Sequence, residues 1–388
     1  MSDAGAALPA HEVERYRAEF PTLARKTHLN TVSLGPLSRR SRERVNEFLD
    51  LWEELGASAW YRIWLGACAE ARAGLANLIG AEAEQIALHG CVSSALASVA
   101  GSLDYGTRNE VVTADLDFPT IALQWLSRAS QGVRVRYAAS DDGITVPLER
   151  YEALISERTA IVATSHVFFT SGAVQDIAAL AQLAHRKGAL LLVDAYQATG
   201  QIPTDVVAAG VDFLVTGGLK WLMGGPGLAY LFSAPRLLHD LRPTGSGWFA
   251  AENQFDFDPH ALVYRSDGRR METGTPAVAA VYAGLGGLEM LQEVGVTRAR
   301  AHTLHMVEYL EQRAVERGYT LGIPAQWDQR SGIVTLRMDN PAATVKHLAS
   351  RGIITDYRPG LVRVSPFFFT TYGDLDAFFR AMDELPRT

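Results

Sequence analysis

Residues 188–230 read GALLLVDAYQATGQIPTDVVAAGVDFLVTGGLKWLMGGPGLAY, and no other stretch limits the fold so tightly. Three short apolar runs, 189–193, 211–215 and 228–232, are each bounded by glycines or polar residues, the pattern of buried strands in an α/β sheet. The first run ends in Asp194. The second leads through Gly217 and Gly218 to Lys220, and the third follows the turn Gly224-Gly225-Pro226-Gly227. Ligands of open α/β sheets collect where strands end, and Asp194 and Lys220 both fall at such ends. Singly, an aspartate there is often a loop residue or helix cap and a lysine is usually solvated. Together, on consecutive strand ends beside a glycine turn, they are hard to dismiss as accident.

A carboxylate and an amine so placed suit pyridoxal 5'-phosphate (PLP). That cofactor needs a lysine for its Schiff base and an acidic group to keep its pyridine nitrogen protonated, which makes the ring an electron sink. The segments VDAYQATGQIPTDV and GVDFLVTGGLKWLMGGPG resemble the cofactor-lysine region of class V aminotransferase-type PLP enzymes, which include cysteine desulfurases, isopenicillin N epimerase and kynureninase. The resemblance runs from about Thr27 to the C-terminus. It implies an α/β fold of PLP fold-type I, with a large domain built on a mainly parallel seven-stranded sheet and a small C-terminal α+β domain. The corresponding divisions are an arm over 1–26, a large PLP-binding domain over 27–275 and a small domain over 276–388. By the same resemblance Lys220 holds the Schiff base and later moves the proton, and Asp194 faces the ring nitrogen.

Other positions carry the likeness further. Residues 86–96 read as a strand turning directly into a helix, whose free N–H groups make a phosphate seat; the match assigns Val92 and Ser93 to it, although a serine there is also an ordinary N-cap. Phe118-Pro119-Thr120 matches kynureninases, where many relatives have histidine; a phenyl ring can stack on the cofactor but cannot move a proton. Gln197 matches a residue bonded to the cofactor's ring oxygen. Phe169 stands where desulfurases and aminotransferases generally have asparagine, and Leu219 where a histidine or tyrosine usually helps hold the phosphate. Trp248 falls in a glycine-tryptophan loop near the phosphate. Thr275 matches a threonine that reaches the neighbouring subunit's phosphate, which implies a homodimer with shared active sites; the alternative is a helix start with Thr275 as cap and Pro276 first. The run from Asp356 to Pro366 resembles the kynureninase C-terminal motif, with Arg363 at the arginine that pairs with the substrate's α-carboxylate and Arg358 as competing candidate. Asn30 opens a short segment that lies near the substrate in these enzymes, with Thr31 and Val32 separating it from Ser33.

Composition narrows the rest. An apolar fraction of 48% and a charged fraction of 20% are ordinary for a globular protein, and a net charge of -7 argues against nucleic-acid binding. The basic run from Arg265 to Arg270 reads as a solvated loop. Cys68 and Cys91, in contexts that look helical or buried, offer neither a disulfide framework nor a metal site. No cysteine follows Cys91, so the mobile-loop thiol of desulfurases is missing. His302 and His305 share a helical spacing without a third ligand and read as solvated; His166 is either near the cofactor or structural. Trp52, Trp60 and Trp64 read as packing residues. No secretory signal or membrane-length apolar run is seen, so the expectation is a cytoplasmic protein with no membrane or nucleic-acid partner.

The reading is an enzyme acting at the α-carbon of an amino acid or an amino-acid-derived intermediate, kynureninase-like or epimerase-like. The alternatives are a class V aminotransferase or decarboxylating deaminase, and a PLP-fold protein that binds without turnover.

Overall fold

The computed structural model describes residues 5–385. Its central sheet has seven strands: β1 (Ile86–His89), β2 (Glu110–Ala114), β3 (Arg134–Ala138), β4 (Thr159–Ser165), β5 (Leu190–Asp194), β6 (Phe213–Gly217) and β7 (Ala229–Ser233). They lie in the order β1-β7-β6-β5-β4-β2-β3, and every neighbouring pair is parallel except the two that include β7. With β7 alone reversed, the carboxyl ends of β1, β2, β4, β5 and β6 gather on one edge. The expected mainly parallel seven-stranded sheet is thus observed.

These runs form strands because both faces are covered. Along β5, Leu191 and Val193 enter one core while Leu192 enters the other, the alternation that a pleated strand imposes. One face packs on the helices Val92–Ala100 and Thr120–Leu126, through Val92, Leu96, Ile121 and Trp125. The other carries Ile177–Arg186, and beyond it the helices Arg39–Leu55, Leu65–Ile79 and Val278–Val294 pack together.

The C-terminal part is α+β, as expected. An antiparallel sheet of Asp356–Arg358, Leu361–Val364 and Val334–Arg337 is covered by Pro341–Ser350 and Tyr372–Asp383. Its separate core begins at Met306 and draws in Leu29. Val281, Leu285, Leu288 and Leu291 of Val278–Val294 instead belong to the core of the large sheet. A division at 275 therefore assigns to the smaller unit a helix that packs with the larger one. The helix interruption at Gly295, with φ of 78°, lies closer to the change of core.

Several local expectations are corrected. The arm is docked: Val13, Tyr16 and Phe20 are spaced along one face and buried, with Tyr16 edge-on to Phe368 at 5.5 Å and Arg17 paired with Asp374 at 2.6 Å. Residues 1–4 of that arm lie outside the described residues. The run from Arg265 to Arg270 is no solvated loop, because Arg270 is buried and donates to the Leu238 carbonyl while Arg269 pairs with Asp267. Trp64 packs as expected, but Trp52 is exposed. His302 is buried and bonded to the Thr370 carbonyl at 2.8 Å, so it is a core histidine, and no group of metal-ligand type occurs among the described residues.

One buried ion pair ties the two faces of the chain to the sheet. Arg72 donates through Nε (3.1 Å) and Nη2 (2.6 Å) to Glu272 Oε1, which also accepts the Leu88 N–H of β1 at 2.9 Å. Both side chains are nearly inaccessible to water. Removing one partner strands the other charge in a medium that solvates it poorly. Glu272→Ala should therefore lower the stability to urea unfolding by about 3–5 kcal/mol. A loss under about 1 kcal/mol, the range of exposed pairs, would mean that water reaches Arg72 easily.

Candidate active site

A cavity of about 340 Å³ opens at the carboxyl edge of the sheet. Its wall takes Val92 and Ser93 from the end of β1, Phe118 and Thr120 from β2, Ser165 and Phe169 from β4, Asp194, Tyr196 and Gln197 from β5, and Leu219 and Lys220 from β6. Val32 and Ser33 close it from the N-terminal side and Arg358 from the C-terminal sheet. Asp194 and Lys220 thus share one cavity at the ends of adjacent parallel strands.

Asp194 is the last residue of β5, and its Oδ1 accepts the Tyr196 N–H at 2.9 Å. Burial raises its pKa to about 6, opposed by that N–H and by Lys220. Lys220 is one of only four lysines, with Lys26, Lys187 and Lys346. It alone lines the cavity, with Nζ 4.1 Å from the Tyr196 ring centre and 6.0 Å from that of Phe118. Burial lowers its pKa to about 8; the Asp194 charge opposes this, and those of Arg363 and Arg358 add to it. Beside them lies Asp117, which accepts from Thr113, Thr164 and the backbone N–H groups of Ala114 and Ser165, and so pins β2 to β4.

Close glycine contacts fix the lysine loop. A Cβ on Gly35 would sit 2.5 Å from the Lys220 carbonyl oxygen, and one on Gly287 would sit 1.9 Å from that of Leu222. Met223, just beyond, has φ of 53°, a conformation costing about 1–3 kcal/mol in a residue with a side chain.

Val92 is the first residue of its helix and Ser93 the second, so Ser93 is not the N-cap. That position belongs to Cys91, whose backbone carbonyl accepts from the Ser94 hydroxyl at 2.7 Å. Cys91 is exposed and lines the cavity, contrary to the expected buried or helical setting; Cys68 is buried as expected. Phe118 stands edge-on to Phe169 at 5.3 Å. Gln197 is held at both ends, accepting from Trp221 Nε1 at 2.9 Å and donating to the Val32 carbonyl at 3.1 Å, which leaves one amide N–H. His166 is buried away from the wall, and burial lowers its pKa to about 4.

Four assigned residues stand elsewhere. Asn30 is behind the wall, and Ser33 takes the place facing the cavity. Arg363 is buried one layer back: Nη1 donates to the Phe169 carbonyl and Nη2 to Ser33, each at 2.8 Å, and Nη2 also meets Asp356. Arg358, in the wall, reaches the same Asp356 carboxylate at 2.9 Å. Burial pushes Asp356 up, but hydrogen bonds from Ser33 and Arg363 outweigh it and the pKa falls below the ordinary carboxylate value. Trp248 and Thr275 are outside the cavity and share another hollow with Trp60 and Phe255. Thr275 is not a helix cap, since the next helix starts at Val278 with Ala277 before it.

The aminotransferase class-V family model matches residues 63–368. Over 97% of the chain and 98% of the relative, the sequence is 36% identical to an uncharacterised aminotransferase, YcbU, of Bacillus subtilis strain 168. The chain belongs to the class V aminotransferase family. It is also 28% identical to a kynureninase of Geobacillus thermodenitrificans, over 94% of the chain and 89% of that enzyme. Among solved structures it resembles the apo cysteine desulfurase of Thermococcus onnurineus, with a TM-score of 0.88, 20% identity and 98% of each chain covered. A variant of the cystine C-S lyase C-DES, with glycine covalently linked to its PLP cofactor, aligns with a TM-score of 0.86 and 22% identity over 95% of this chain and 99% of that one.

This class V aminotransferase-family member is an enzyme, and its cofactor is PLP. The cavity fits that group. It presents a buried carboxylate with one oxygen spent on Tyr196, a desolvated amine, aromatic faces and the start of a helix. A desolvated lysine becomes neutral, hence nucleophilic, at lower pH than an exposed one. Covalent uptake of PLP by the apoprotein should therefore speed up as pH rises through about 8, below the ordinary lysine value of 10.5. Stopped-flow absorbance would show it; a midpoint near 10 would mean the amine is solvated.

Proposed function

We propose that this class V enzyme acts at the α-carbon of an amino acid or an amino-acid-derived intermediate, in a kynureninase-like or epimerase-like reaction, with Lys220 as the cofactor-bearing amine. The observation that supports it most is the placement of Lys220 and Asp194 in one cavity opposite a guanidinium wall. The likeness to kynureninases across 94% of the chain and the Phe-Pro-Thr run support the branch. The absence of any cysteine after Cys91 speaks against desulfuration. A class V aminotransferase or decarboxylating deaminase is the second reading, favoured by the likeness to YcbU.

When bound, PLP supplies an electron sink that weakens the bonds at the substrate's α-carbon. Asp194 would hold negative charge toward the cofactor's ring nitrogen. Phe118 would stack on the ring and can contribute no proton. Proton movement at the α-carbon falls to Lys220 Nζ, which burial keeps partly neutral near physiological pH. Arg358 meets the substrate carboxylate with nitrogens not used by Asp356, and Arg363 braces Asp356 from behind. Val92 and Ser93 would seat the phosphate, and Gln197 would give its remaining N–H to the ring oxygen. We further infer a homodimer in which Trp248 and Thr275, outside this chain's own cavity, serve the neighbouring copy.

Two experiments test this. Borohydride reduction followed by peptide mass analysis should find the cofactor on Lys220 and none on Lys220→Ala; label on Lys26, Lys187 or Lys346 would overturn the assignment. A panel of amino acids, read by spectral change and product identification, should yield a substrate whose KM rises by about 10–100-fold in Arg358→Ala, the loss expected for one hydrogen-bonded charge pair. Arg363→Ala should shift KM the same way with PLP still bound. An unchanged KM in Arg358→Ala would remove that residue from the carboxylate site.

A further inference from the structure

Tyr196 is a large residue of the cavity wall for which the family resemblance supplies no role. Its backbone N–H is fixed on Asp194 at 2.9 Å, and its ring passes beside Lys220 toward the end of β6. There it fills space that only a glycine leaves open. A Cβ on Gly217 would sit 2.4 Å from Tyr196 Cζ and 2.6 Å from its hydroxyl oxygen, closer than any real contact. The hydroxyl therefore lies directly against the strand end that leads to Leu219 and Lys220. The helix Val92–Ala100 packs across that same strand, and the ring packs on the core to which Val92 belongs. Among the described residues the hydroxyl has no hydrogen-bond partner, although the backbone N–H of the same residue is held on Asp194.

The phosphate end of the cavity is otherwise poor in side-chain donors. Gly217 has no side chain, Leu219 lines the wall with an apolar one, and Ser93 supplies a single hydroxyl beside the helix N–H groups. A phosphate dianion offers more acceptor sites than that set fills. We propose that the Tyr196 hydroxyl donates to the cofactor's phosphate, completing the seat begun by Ser93 and the helix start. The inference rests on the assignment of this cavity to PLP. Burial, then the Asp194 charge, raises the phenol's pKa far above its ordinary value, so the group stays a donor throughout the working pH range. Tyr196 is a cofactor-positioning residue in this account.

The alternative is that the ring only packs, and the two differ in their dependence on phosphate. Apoprotein titrated with PLP and, separately, with pyridoxal, which lacks the phosphate, reports each contribution by absorbance. Tyr196→Phe keeps the ring and removes the donor. Its Kd for PLP should rise by about 10-fold or more, the effect of one hydrogen bond to a charged group, while its Kd for pyridoxal stays within about two-fold of wild type and shows that the variant is folded. Unchanged PLP affinity in Tyr196→Phe would overturn the proposal, as would equal losses for both ligands. Failure of the wild-type apoprotein to bind PLP at all would instead remove the cavity assignment itself.

Discussion

Placing an amine and a carboxylate in one cavity at the sheet edge is the constraint on which the rest of the structure depends. Each charge alone would be costly to bury, and each is tolerated because the other is near. Adjacent parallel strands provide the means. β5 delivers Asp194 as its last residue and β6 delivers Lys220 three residues beyond its end, so the strand spacing fixes their separation without a direct ion pair. Among the described residues Lys220 makes no ion pair within 4.0 Å, and this leaves the amine available.

Holding the lysine this way requires a rigid loop where loops are usually mobile. Rigidity here comes from close backbone approach. Gly35 comes from the N-terminal segment and Gly287 from the helix Val278–Val294, and each lets its backbone touch the loop where any side chain would collide. The loop in turn accommodates Met223 at positive φ, strain that persists because both sides press on it. The packing of Val278–Val294 with the large sheet, rather than with the C-terminal core, follows from the same contact.

Much of this was legible in the sequence, for reasons that can be separated. The strands around Asp194 and Lys220 announce themselves because burial on both faces demands unbroken apolar runs, and strand order puts their ends together. Phe118 and Gln197 fall in the cavity because each lies within a few residues of such an end. The assignments that moved belong to residues whose surroundings are built from distant segments. Arg363 and Asn30 do not line the cavity, where Ser33 and Arg358 stand instead; Ser33 bonds to Asp356, 323 positions away in the chain, and that carboxylate also holds both arginines. Tyr196 gave no periodic signal; only the empty side of Gly217 reveals its place. In the arm, three apolar residues among charges suffice for docking, because Phe368 and Phe369 lie opposite. Trp52 errs the other way, since helical spacing does not say whether a further element covers that face.

The charges on the far wall close the argument. Arg358 and Arg363 share one carboxylate, Asp356, so that cluster carries one positive charge in excess, and both guanidinium groups press the Lys220 amine toward its neutral form. A carboxylate seated on Arg358 cancels the excess without displacing Asp356. It thereby removes the repulsion acting on the lysine and raises the proton affinity of Nζ. On the proposed reading, the amine would thus be easiest to deprotonate before the substrate arrives, when it would act as a nucleophile toward the cofactor, and a stronger base once the substrate is in place, when it would take a proton from the α-carbon. Arg358 in the wall, with Arg363 and Asp356 behind it, would couple carboxylate binding to the basicity of the Lys220 amine, because their charges act on it through the poorly solvated protein interior.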